Sequence, residues 1–178
     1  MPKQTKKKEK TKNIVLDASA IYNGILSQDL RGKKYLPLCV IEEIMGDYRG
    51  EAFLAEIKQD RSIIQTSPKK EYVAKAKKQA EKTGDIVELS SCDLEVLATA
   101  LELYAEERSV ELISDDYDIQ NIAEFLKIPY RGIYWKGISS VHQYYWKCTG
   151  CGITSSKPQD ECIECGSKMV KKVYRKQK

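Results

Sequence analysis

The sequence predicts an α/β domain, a parallel sheet flanked by helices, followed by a small cysteine-bearing module. Three observations predict it. Short β-branched runs alternate with stretches of helical periodicity, the first and third of those runs end in acid where a helix begins, and four of the six cysteines fall in two Cys-x-x-Cys pairs near the C-terminus. At 178 residues, 42% hydrophobic and 31% charged, the chain has room for one domain of about 130 to 150 residues plus something small.

The elements follow in order. Residues 1–12, lysine-rich and almost without apolar residues, read as a disordered basic arm. Asn13 to Asp17 is the first strand, with Asp17 at its tip, and a short helix spans 18–26. Tyr35 to Cys39 approaches the next helix in extended form, because Pro37 disfavours a helical Leu36. That helix runs from about Val40 to Tyr48. Glu42 and Glu43 lie about 100° apart on it, so both cannot face one cleft, and the pattern does not choose between them. A helix over 50–59 buries Phe53, Leu54 and Ile57, and Ile63-Ile64 marks the second strand. Pro68 opens a helix over 69–82 that Thr83-Gly84 ends. Ser90 with Asp93 resembles a capping box before the apolar stripe Leu94, Leu97, Ala98, Leu101 and Ala105. Val110 to Ser114 is the third strand, followed at once by Asp115-Asp116-Tyr117-Asp118 and a helix, and 128–133 is the fourth. Strand and helix in alternation imply parallel pairing.

The net charge of +4 hides an asymmetry. Residues 1–13 carry +5 and residues 168–178 carry +6, leaving about −7 for the body. Basic ends on an acidic body suggest a polyanionic partner. No apolar stretch approaches the roughly 20 residues of a membrane span, and no signal-peptide core follows the basic start, so no membrane association and a cytoplasmic location are expected. Cys39 and Cys92 sit in apolar company and read as small core residues.

On a parallel sheet, strand tips and helix starts converge along one edge. Asp17, the Asp115/Asp116 pair, Asp93 and one of Glu42 and Glu43 therefore approach one another. Such a group of carboxylates repels itself unless a cation joins it, and hard oxygen ligands suit magnesium or manganese. A divalent ion among carboxylates is the chemistry of a nuclease or phosphatase. Composition removes competitors. His142 is the single histidine, so a two-histidine ribonuclease is excluded, and no phosphate-binding loop or dinucleotide fingerprint is present, so no nucleotide cofactor is expected.

Cys148-x-x-Cys151 and Cys162-x-x-Cys165, each pair followed by a glycine, read as two knuckles of a four-thiolate zinc ribbon. The ligand set is closed, so the zinc is structural, and so short a segment depends on it to fold. Between domain and ribbon, aromatic residues interleave with Arg131, Lys136 and Lys147. That mixture suits stacking on unpaired bases beside phosphate contacts, although packing of ribbon against domain explains the rings equally well. Trp146, Lys147, Arg131 and the tail residues Lys171 and Lys172 are the RNA-binding candidates.

Val-Leu-Asp-Ala-Ser at 15–19, Val-Ile-Glu-Glu-Ile at 40–44, Cys-Asp-Leu-Glu-Val-Leu-Ala at 92–98 and Ser-Asp-Asp-Tyr-Asp-Ile-Gln-Asn at 114–121 resemble, in order, the acidic motifs of PIN-domain ribonucleases. The match is closest to the Nob family, which matures the 3′ end of small-subunit ribosomal RNA. The resemblance implies a PIN-like domain at 13–134, a linker at 135–145 and a zinc ribbon with a basic tail at 146–174. It implies metal-binding roles for Asp17, Glu43, Asp93 and Asp116, with Ser114 and Asp115 as possible auxiliaries. It further implies cleavage of precursor 16S rRNA within the pre-30S particle. A toxin-like PIN nuclease acting on tRNA and a non-catalytic rRNA clamp remain as alternatives.

Overall fold

The run Ile14-Val15-Leu16, nearly or fully buried, forms the central strand of a five-stranded parallel sheet. The computed structural model describes residues 12–106, 109–134 and 137–177. Most of the predicted basic arm, together with Trp135 and Lys136 of the predicted linker, lies outside them. Strands β1 (Asn13–Leu16), β2 (Lys33–Pro37), β3 (Ile63–Thr66), β4 (Val110–Ile113) and β5 (Tyr130–Arg131) assemble in the order β3-β2-β1-β4-β5. The order reverses between β1 and β4, which opens a crevice at their C-terminal ends, the usual place for a site in such sheets.

Helices α1 (Ala18–Tyr22), α2 (Leu38–Met45), α3 (Gly50–Gln59), α4 (Lys70–Thr83), α5 (Ser91–Ala105) and α6 (Tyr117–Phe125) flank the sheet. The predicted first helix is shorter than expected, because Gly24 adopts a left-handed φ of 79° and starts a separate 3-10 turn. Helix α5 carries the predicted capping box, with both reciprocal hydrogen bonds present.

Two sequence expectations fail in the body. Lys33 to Pro37 is a strand rather than an extended lead-in, so the sheet has five strands and not four. Lys34 disguised it: the side chain is buried, and its Nζ donates to Asp60 Oδ2 at 2.8 Å and Ser62 Oγ at 2.7 Å. Cys39 and Cys92, read as core thiols, form a disulfide that joins α2 to the start of α5, with Cα atoms 5.5 Å apart.

Beyond the body, β6 (Ser140–Cys148), β7 (Thr154–Ser155) and β8 (Met169–Gln177) form an antiparallel sheet in the order β7-β6-β8. The expected linker is thus strand from Ser140 onward, and the expected basic tail is its partner, paired from Ser140↔Gln177 to Cys148↔Met169. A sheet wet on one face tolerates charge along a strand, which is why composition concealed both. The ribbon sits tightly on the body. A Cβ added to Gly84 would lie 2.8 Å from Tyr144 Cβ, and the Asn121 side chain bonds both the N–H and the C=O of His142, at 2.9 and 2.8 Å.

Candidate active site

Asp17 and Asp116 follow the adjacent strands β1 and β4, whose register Leu16↔Ile113 sets the two tips side by side. Asp17 is buried at the start of α1, where its Oδ1 accepts from the Ala18 amide at 2.7 Å. Its Oδ2 accepts from the Ser19 and Ser114 hydroxyls at 2.6 and 2.8 Å. The fully buried Ser114 Oγ also accepts from the Asp116 amide at 3.0 Å. One hydroxyl therefore ties the two strand tips together. Asp116 in turn caps α6, its Oδ1 accepting from the amides of Asp118 and Ile119 at 2.7 and 3.1 Å.

Asp93 uses Oδ2 in the capping box of α5, accepting from the Ser90 amide at 2.7 Å. Capping occupies one oxygen of Asp93 and one of Asp116; among the described residues no donor meets the other. On α2, Glu43 stands within electrostatic reach of the other acids. Burial, then the charges of Asp17 and Asp93, hold its carboxyl above the ordinary range. Burial likewise pushes Asp17 up, against the hydrogen bonds from Ser19, Ser114 and Ala18, and the charge of Asp93 adds to the rise. Asp118, one residue into α6, is raised to about 6 by burial and then by Asp116. The cleft is a region of crowded negative charge, and Asp17 and Glu43 feel acids on separate elements.

That crowding is what a cation relieves, and an all-carboxylate donor set suits a hard divalent ion. The four carboxylates are nevertheless less tightly gathered than the cysteines: among the described residues, the one group of potential ligands whose atoms all lie within 4.8 Å of one another is Cys148, Cys151, Cys162 and Cys165. Cys148 Sγ accepts from the amides of Gly150 and Cys151 at 3.3 and 3.4 Å, the signature of a metal knuckle. The glycines after each pair, Gly152 and Gly166, take left-handed φ of 78° and 70°, a conformation glycine adopts without strain. This donor set fits zinc.

The remaining sequence candidates divide. Asp115 accepts from Asn23 Nδ2 and from the Ile133 amide, both at 2.7 Å, so each of its oxygens holds neighbouring backbone and loops in place. Trp146 is 7% exposed and packs with Cys148, Cys162 and Met169 in the ribbon core, so its ring does not face solvent. Arg131 pairs with Glu111 at 3.1 Å, and Lys171 pairs with Glu88 at 2.6 Å. Lys147 and Lys172 are exposed. Sequence reading missed Ser19, which bonds Asp17 and accepts from the Asp115 amide at 3.0 Å; its position two residues past a strand-end aspartate was the available signal.

Comparison with known proteins agrees with this geometry. Residues 14–103 match the family model described as the PIN domain of ribonuclease. The endoribonuclease Nob1 of Pyrococcus abyssi is 36% identical over 93% of this chain and 96% of its own length. That of Methanothermobacter thermautotrophicus is 33% identical over 90% of this chain and 93% of its own. The ribonuclease VapC1 of Thermoplasma acidophilum is 34% identical over 92% of this chain and 79% of its own. With the strand tips, the acids and the cysteine cluster in place along the same chain, it belongs to the Nob1 family of PIN-domain endoribonucleases.

Proposed function

We propose that the protein is a metal-dependent, single-strand endoribonuclease that cuts precursor 16S rRNA at its mature 3′ end within the pre-30S particle, in the cytoplasm. The observation that carries the reading is the Ser114 hydroxyl joining Asp17 to the Asp116 turn, with Glu43 and Asp93 in electrostatic reach. Asp17, Glu43, Asp93 and Asp116 would hold magnesium or manganese. Such an ion supplies a water of lowered pKa and positive charge beside the phosphodiester. The chain's own residues do the rest. Ser19 and Ser114 fix the Asp17 carboxylate, α5 and α6 orient Asp93 and Asp116 through their caps, and Glu43 is exposed to solvent. The products expected are a 5′-phosphate and a 3′-hydroxyl.

Zinc on the four cysteines would hold the ribbon, and exposed Lys147 and Lys172 with the remaining β8 lysines would counter the repulsion between RNA and an acidic cleft. Among the described residues no helix is long and apolar enough to cross a membrane. The test is incubation of the full chain with RNA spanning the 3′ end of 16S rRNA and its downstream spacer, with manganese added or withheld. One manganese-dependent cut at the mature end supports the reading. Tight binding without cutting favours a clamp, and preferential cutting of tRNA favours a toxin-like nuclease.

A further inference from the structure

Beside the acidic cleft lies a cavity of about 270 Å³. Tyr117 and Asp118 of α6 line one side, and Ile138, His142 and Tyr144 line the other. Both walls are held. The His142 backbone is fixed by Asn121, and its ring nitrogens lie 3.2 Å from Ser140 Oγ and 3.5 Å from the Tyr144 hydroxyl. The His142 and Tyr144 rings meet edge-on, with centroids 6.2 Å apart. Lys171 Nζ sits 4.0 Å from the Tyr144 ring centroid and is anchored on Glu88. Tyr117 stands at the mouth, 55% exposed, one residue from Asp116.

The lining is three aromatic rings, an isoleucine and one carboxylate, with Ser140 beside the His142 ring and Asn121, whose amide is already bonded to His142 and Asp85. Among the described residues no group donates a hydrogen bond to Asp118's carboxylate. Ligand pockets for larger molecules begin at about 300 Å³, so this cavity takes one flat ring system and little more. Aromatic walls select a π-face, and a lone carboxylate selects a ligand edge with N–H donors. Guanine alone among the RNA bases presents an imino and an amino donor side by side, matching the two carboxylate oxygens. We infer that this cavity seats one unpaired guanine of the RNA, next to the phosphodiester at the acidic cleft, with Asp118 reading its donor edge and the tyrosines stacking on it. The inference rests on the reading of that cleft as an RNA site. It also gives the ribbon strand β6 a part in choosing the substrate, because Ser140, His142 and Tyr144 of the pocket belong to it.

The experiment compares affinity of the zinc-loaded full chain for a uridine decamer and for the same decamer carrying one central guanosine, with no magnesium or manganese added. Wild type is expected to bind the guanosine decamer about tenfold more tightly, and inosine, which lacks the amino donor, to forfeit most of that gain. Tyr117→Ala, at an exposed position, and the near-isosteric Asp118→Asn should each cut the preference below about threefold, with thermal midpoints showing both variants folded. Equal affinity for the two decamers in wild type, or a preference that survives both substitutions, overturns the pocket. Because binding is read without cutting, a protein that prefers guanosine but never cleaves RNA overturns the nuclease reading and leaves the pocket standing, whereas one that cleaves without preference does the reverse.

Discussion

The body and the ribbon place their candidate metal ligands on opposite terms with the fold. The body buries a large aliphatic core around β1 and β4, and three of the acids at its edge have a second occupation: Asp17 and Asp116 cap helices and Asp93 closes a capping box. The ribbon buries only Trp146, Cys148, Cys162 and Met169 with Tyr144 against them among the described residues, so two of its four cysteines make up half of its small core. A carboxylate cluster that repels itself is tolerated because the core holds it. A thiolate cluster with so small a core must itself help hold the strands. On the proposed function, a metal would serve chemistry at one site and folding at the other.

Removing zinc is the largest blow the comparison predicts. Structural zinc contributes about 10–16 kcal/mol in small zinc modules, so Cys148→Ser or a strong chelator should abolish hydrogen-exchange protection across β6 and β8 while β1 and β4 keep theirs. Equal loss in both regions would erase the distinction. Within the body the comparable fastening is covalent. The Cys39–Cys92 bridge spans 53 residues, and closing a loop of that length restricts the unfolded chain by about 4 kcal/mol. Reduction by a dithiol, or Cys39→Ser with Cys92→Ser, should therefore lower the thermal midpoint of the body and leave the ribbon's zinc content unchanged.

Substitution in the cleft should separate chemistry from stability. Asp17→Asn is expected to reduce RNA cleavage more than about hundredfold without lowering the thermal midpoint, since it relieves a buried charge. Ser114→Ala, which only orients Asp17 and Asp116, should cost about ten- to a hundredfold. The smallest effect concerns Asp85, fully buried beneath the ribbon contact and bonded through both oxygens to Asn121 at 3.1 Å. Burial raises its carboxyl above the ordinary range, outweighing the pull of Thr83 and Asn121. A group raised in the folded state binds its proton more tightly there than in the unfolded chain, so its contribution to stability is greatest below the unfolded pKa near 3.8 and falls as pH rises through the folded value. Asp85→Asn should flatten that fall, seen as a gain in thermal midpoint at pH 7 that shrinks toward pH 4.

Much of the body was legible because its rules are local. A β-branched run ending in aspartate places Asp17 and Asp116 at helix starts, Ser90 with Asp93 announces a cap, and Cys-x-x-Cys spacing announces a knuckle. What escaped depends on partners distant in sequence. Lys34 looks like surface until Asp60 and Ser62 are seen around it, and β8 looks like a solvated tail until β6 lies beside it. The Cys39–Cys92 bond needs α2 and α5 to be neighbours, which neither stretch reveals alone. Asp115 and Asp116 are adjacent and chemically alike, and only Asn23 and the Ile133 amide show that one of them is spent on structure. Trp146 carried the composition of an RNA-stacking residue, and its burial in the ribbon core could not be read from the sequence.

The central claim, that the carboxylate cleft holds a catalytic cation while the fold stands without it, is tested most directly by titrating manganese into zinc-loaded protein and following free manganese by electron paramagnetic resonance. Wild type should bind manganese, and Asp17→Asn and Asp116→Asn, at unchanged thermal midpoint, should lose that binding. Equal uptake by all three proteins would contradict the account, because the ion would then sit somewhere other than between β1 and β4.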